Sequence, residues 1–100
     1  MVRHPVQIPI QISVGREMAI HVTHDLSGKG AFFSHAIPWA VGTRVQLGIE
    51  LPGQQPPIAC DGEVVNVPDR TSFGMGLRFI GLSSEDERRI EQFAASCARR

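Results

Sequence analysis

The residues best suited to chemistry in this chain are Asp25, Ser27 and Gly30, within the run Asp25-Leu26-Ser27-Gly28-Lys29-Gly30. A carboxylate and a hydroxyl two residues apart can accept and donate hydrogen bonds at the polar edge of a ligand. The same pair can instead bond nearby backbone and stabilise a turn between two strands. The glycines can take positive φ in such a turn and let the backbone approach a ligand closely. Upstream lies Arg3, in the short basic stretch Arg3-His4-Pro5. A guanidinium can grip an oxyanion through two parallel bonds and can lie flat on an aromatic ring. These types suit recognition of an anion better than the making or breaking of a bond.

Other reactive side chains form no convincing centre. His21 and His24 are three apart, so on a strand they point to opposite faces and make a poor metal pair. His24 is adjacent to Asp25, but no nucleophile pairs with them convincingly. Cys60 falls in an expected strand and Cys97 on an expected helix face, without metal-ligand spacing around either. No enzyme activity, metal or cofactor is expected from this inventory.

Composition narrows the partners. Ten Lys and Arg offset ten Asp and Glu, giving a formal charge of zero. A duplex-DNA binder relies on a basic field over many phosphates, so DNA and RNA are not expected partners. A small anionic ligand needs only a few placed donors. Reduced thiols, the absence of a long apolar run and the lack of an apolar signal region make the cytoplasm the expected compartment, without membrane insertion.

The elements that must position these residues are mainly strands. Val6, Ile8, Ile10, Ile12 and Val14 alternate with polar residues and Pro9, the pattern of a half-buried strand. Pro9 predicts an edge position or a bulge. After the turn Gly15-Arg16, the residues Met18, Ile20 and Val22 alternate in a second strand. Further strands are expected over about 31–35, 45–51, 58–67 and 73–80, separated by Gly- and Pro-rich turns. Trp39, between them, is expected as a cover for the core. The C-terminus alone looks helical, from a cap at Ser83 or Ser84, through acidic Glu85, Asp86 and Glu87, to Arg99 and Arg100. Ile90, Phe93, Ala94 and Cys97 form its apolar stripe, which should dock on the sheet.

The order of motifs resembles the PilZ domain family over nearly the whole chain. The matching segments are the basic arm with Arg3, Asp25-x-Ser27-x-x-Gly30, and Gly42-Thr43-Arg44-Val45-Gln46-Leu47. They continue with Gly62-Glu63-Val64 and with Gly74-Met75-Gly76-Leu77-Arg78-Phe79 before the helix. The resemblance implies a mainly β fold, a six-stranded antiparallel barrel with one C-terminal α-helix. It also implies a single domain over 1–100, with a basic arm at 1–5, a barrel at 6–80 and a helix at 83–98.

Many PilZ domains are receptors for the bacterial second messenger cyclic di-GMP, and bind it through an Arg-x-x-x-Arg arm and the [Asp/Asn]-x-Ser-x-x-Gly turn. By resemblance the ligand-binding residues here are Arg3, Asp25, Ser27 and Gly30. The implied function is a non-catalytic cyclic-di-GMP receptor that relays binding to a protein partner. The second arginine of the arm is absent. Gln7 stands four residues after Arg3, and Val6 if the His-Pro pair sets the alignment. A hydrogen bond to a charged group contributes about 1.5–3 kcal/mol, so its loss weakens binding about tenfold to a hundredfold. Lys29, Arg16 or Arg44 could replace the charge. The alternative is a PilZ-like protein-interaction adaptor that does not bind the nucleotide.

Overall fold

The computed structural model describes residues 4–34, 39–66 and 74–98. Seven strands and one helix follow the chain: β1 (Pro9–Val14), β2 (Glu17–Val22), β3 (Asp25–Leu26), β4 (Gly30–Phe33), β5 (Arg44–Ile49), β6 (Ile58–Asn66), β7 (Met75–Ile80) and α1 (Ser84–Ala98). All pair antiparallel in one curled sheet of order β2-β1-β5-β6-β7-β4-β3. The strand ends expected at His35, Val67 and Phe73, the helix end at Arg99 and Arg100, and Arg3 itself lie outside the described residues.

The sequence predicts six strands and the structure has seven. The extra one is β3, two residues of the stretch expected as turn. Past Val22 the chain leaves the β1 ladder, and His24 N–H already donates to Phe32 C=O at 2.7 Å. Asp25 and Leu26 then pair with Phe32 and Ala31 of β4. One bent stretch of chain thus serves two neighbours in turn, β1 first and β4 second.

The bend also closes the curl. Thr23 N–H donates to Ile8 C=O at 2.9 Å, and Ile8 N–H donates to Thr23 Oγ1 at 3.0 Å. The Thr23 hydroxyl in turn donates to Val6 C=O. Farther along, His4 and Leu26 exchange both backbone bonds, at 3.0 and 2.9 Å. The segment leading into β1 is therefore stitched to the opposite end of the sheet, at β3.

Inside the curl, alternation works as expected on β1, where Ile10 and Ile12 are wholly buried. Leu26, Phe33, Ile49, Ile58, Val64, Met75 and Leu77 fill the rest of the core. From α1, Ile90 and Ala94 enter it fully, with Phe93 and Cys97 packed at its margin. Trp39 is half-buried against the same core. Ser83 Oγ accepts the Asp86 N–H at 3.1 Å, which makes Ser83 the cap of α1.

Two expectations from alternation need correcting. Pro9 is neither at a sheet edge nor at a bulge, since β1 lies between β2 and β5. It is the first residue of its strand, and the β5 ladder starts only at Ile10, so its missing N–H removes no pair. On β2 the apolar set faces out: Met18, Ile20 and Val22 are 56–63% exposed, while Thr23 is buried. The hairpin fixes this outcome. Gly15, at φ 59°, opens a two-residue loop that pairs Val14 with Glu17, and this register sets Ile20 opposite outward-facing Gln11.

Candidate functional site

The site is built around the loop between β3 and β4. Ser27 N–H donates to Gly30 C=O at 2.9 Å, closing a tight turn. Inside it, the Ser27 hydroxyl accepts the Lys29 N–H at 3.2 Å and lies 3.5 Å from the Gly30 carbonyl. Ser27 is wholly buried. In this state its side chain shapes the turn and does not face solvent.

Gly30 is fixed by its neighbour on β7. An added Cβ would sit 2.2 Å from the Leu77 carbonyl oxygen, well inside any contact distance. The Lys29 carbonyl accepts the Phe79 N–H at 2.8 Å beside it. Gly30 therefore serves strand packing whether or not a ligand is present.

Asp25 points to the outer face of the sheet. It is half-buried, pairs across the strands with Phe32, and has its Oδ2 3.5 Å from His24 Nδ1. Among the described ligand candidates, it is the one with a partly exposed polar group beside the turn. Arg3 lies outside the described residues, but its neighbour His4 is backbone-paired with Leu26, between Asp25 and Ser27. The arm and the turn thus meet at one place.

Helix α1 holds that place from behind. Glu91 Oε2 accepts the Gly28 N–H at 2.6 Å, and Glu91 Oε1 is 3.1 Å from His4 Nε2. One turn earlier on the helix, Glu87 Oε1 pairs with Lys29 Nζ at 2.6 Å. Lys29 is the cation within the motif, so its charge is already partnered. Glu87 belongs to the acidic first turn of α1, and Glu91 follows one turn later. Glu87 and Glu91 grip the turn and the arm. A spacing of four residues puts both on one helix face, a signal that becomes meaningful only once the helix is docked.

On the outer face of the sheet, next to the turn, a row of charged residues crosses the strands. Gly30 is in register with Arg78, Arg78 with Glu63, and Glu63 with Arg44. Arg78 and Glu63 form an ion pair. The Arg78 hydrogen bond, together with the charges of Arg78 and Arg44, holds the Glu63 carboxyl below its usual range. A recess of about 320 Å³ joins this row to the turn, lined by Gly28, Lys29, Arg78, Phe79, Gly81, Leu82 and Glu87. Arg16, in the loop between β1 and β2, is exposed and takes no part in this row. Gln7 is exposed on the arm side.

Comparison with known proteins agrees with this fold. Among solved structures, the Bacillus subtilis inhibitor of motility MotI/DgrA superposes with a TM-score of 0.80 at 19% identity, covering 96% of this chain and 49% of that one. The PilZ domain of CeSA from a cellulose-synthesizing bacterium gives 0.71 at 18% identity, covering 97% and 98%. YcgR from Escherichia coli, solved in complex with c-di-GMP, gives 0.70 at 19% identity, covering 98% and 45%. The chain thus spans about half the length of MotI/DgrA and YcgR, and almost all of the CeSA domain. No curated protein sequence matches it. The family model described as PilZ domain matches residues 2–96, and with the curled sheet, terminal helix and Asp25-x-Ser27-x-x-Gly30 turn in place, the chain belongs to the PilZ domain family.

Proposed function

We propose that this chain is a non-catalytic receptor module for cyclic di-GMP that passes the binding event to a protein partner. The observation that carries the reading is the backbone pairing of His4 with Leu26. It joins the arm that bears Arg3 to the turn that bears Asp25 and Ser27, so a ligand on the outer face can touch both. YcgR, which shares the fold, was solved with this nucleotide.

The roles divide by exposure. Asp25, accessible on the outer face, accepts hydrogen bonds from a guanine edge. Arg3 grips a phosphate and can stack on a base. Ser27, wholly buried, keeps the turn in shape, and Gly30 lets the turn sit against β7. No bond is broken in this scheme. A second-messenger receptor of this type works in the cytoplasm. Among the described residues no helix is long and apolar enough to cross a membrane.

Titration calorimetry with cyclic di-GMP tests the reading. Binding in the micromolar range, weakened at least tenfold by Asp25→Ala and by Arg3→Ala, is the expected result. The absence of heat at high micromolar ligand overturns it. One observation favours the adaptor reading: the Gly28 N–H, a donor suited to an anion, is already taken by Glu91, and Gln7 brings no charge. Under that reading a protein partner binds equally well with and without nucleotide.

A further inference from the structure

We propose that Arg78 provides the second phosphate-binding guanidinium of the site, in place of the one Gln7 cannot supply. This rests on the receptor reading and names a residue that the family's two motifs do not include. Three observations carry it.

The first is position. Arg78 is the cross-strand partner of Gly30, the last residue of the turn motif, and it lines the recess that Gly28 and Lys29 border. Asp25 pairs with Phe32, two residues along β4 from Gly30 on the same face. Strand spacing and rise put the Asp25 and Arg78 Cα atoms roughly 12 Å apart. Released from Glu63 on β6 and turned toward β4, an arginine side chain closes much of that gap. A compact dinucleotide whose base lies at Asp25 can therefore bring a phosphodiester to Arg78.

The second is charge. Arg44 and Arg78 flank Glu63 from either side in one row, two cations around one carboxylate. The row has a surplus positive charge on the face where an anionic ligand would lie. Lys29 adds nothing to that surplus, because Glu87 matches its charge one to one.

The third is availability. The Arg78 side chain is 59% exposed, so its pairing with Glu63 is a surface ion pair. Such pairs are weak, and a phosphate can take over part of the guanidinium at little cost.

The test uses the whole chain, cyclic di-GMP, and calorimetry of wild type beside three variants. Arg78→Ala should weaken binding tenfold to a hundredfold, and Arg78→Lys should recover only part of it, since an ammonium lacks the two-pronged geometry. Glu63→Gln should act in the opposite direction and tighten binding several-fold, because a carboxylate next to the phosphate is neutralised. Wild-type binding that Arg78→Ala changes by less than twofold overturns this proposal and leaves the receptor reading standing. Absence of wild-type binding overturns both. Weakening by Glu63→Gln as well as by Arg78→Ala would make the ion pair a strut for the sheet and would also overturn it.

Discussion

Glu91 on α1 accepts the backbone N–H of Gly28 at 2.6 Å, joining the terminal helix to the turn between β3 and β4. The same carboxylate reaches His4 with its other oxygen. Arm, turn and helix are therefore not three independent features. A ligand that displaces His4 or the Gly28 amide must act on the helix through Glu91, which gives a physical route from the site to a partner surface.

Removing that carboxylate should loosen the assembly. A hydrogen bond to a charged acceptor contributes about 1.5–3 kcal/mol when buried, and the Glu91 side chain is 41% exposed, so screening lowers the figure. Glu91→Ala should cost about 1 kcal/mol in urea unfolding. Glu91→Gln keeps an oxygen for Gly28 and should cost less. Equal losses for the two would mean that the carbonyl acceptor contributes nothing.

Gly30 separates folding from binding. A methyl there would meet the Leu77 carbonyl at 2.2 Å, and backbone cannot retreat as a side-chain tip can. Gly30→Ala should destabilise the domain by about 3 kcal/mol, the upper end for overpacking. A lowered melting temperature without ligand is the expected result. Loss of binding in this variant would then say little about ligand contact, in contrast to Asp25→Ala.

Much of this arrangement was legible in the sequence, and the rest fails for identifiable reasons. The Ile10 and Ile12 alternation, the Gly15-Arg16 turn and the Ile90–Ala94 stripe each depend on local periodicity, and all took the expected form. Outward-facing Met18, Ile20 and Val22 obey the same periodicity but sit on the opposite face, because the hairpin register fixes which side they take. The β3 strand was hidden since two residues carry no period. Glu91 reaches Gly28 across 63 residues, a pairing no local pattern reports. Arg78 stands within the family-like segment Gly74-Met75-Gly76-Leu77-Arg78-Phe79. Its outward direction follows from alternation, but its partner Gly30 becomes evident only from strand order.

Thr23 carries a buried role that no local sequence pattern marks. Its hydroxyl accepts from Ile8 and donates to Val6, satisfying two backbone groups at the closing seam of the sheet. Thr23→Val keeps the shape and removes the hydroxyl. Leaving buried polar groups unsatisfied costs about 1–3 kcal/mol, so the valine variant should unfold at lower urea, and Thr23→Ser should retain most of the stability. A valine variant as stable as wild type would show that the seam is hydrated.

Burial pushes the Cys60 thiol up to about 11, with the charges of Asp61 and Asp86 adding to the effect. The thiolate is the nucleophile, so alkylation of Cys60 in the folded protein should be slow at pH 8 and still be rising above pH 9. The linkage has a definite sign. The unfolded thiol ionises near its ordinary value of 9.0 while the folded one keeps its proton. The contribution to stability is thus fully present below pH 9 and is lost as pH rises from 9 toward 11. Fast labelling at pH 8 under native conditions, at the rate of the denatured chain, would refute the buried environment.

Glu63 offers a direct reading of the charged row beside the turn. The Arg78 hydrogen bond lowers its carboxyl below the usual glutamate range, outweighing a smaller opposing effect of desolvation. A depressed carboxyl favours the folded state above the unfolded value, and this contribution is lost as pH falls through the folded value. Carbon-detected NMR titration of the Glu63 side chain should show this low midpoint in wild type. In Arg78→Ala the midpoint should rise toward the ordinary value, with a residual depression from Arg44. If saturating cyclic di-GMP draws the guanidinium away, the same carboxyl should move upward in the wild-type complex, and a midpoint unaffected by ligand would place the phosphate elsewhere on the sheet.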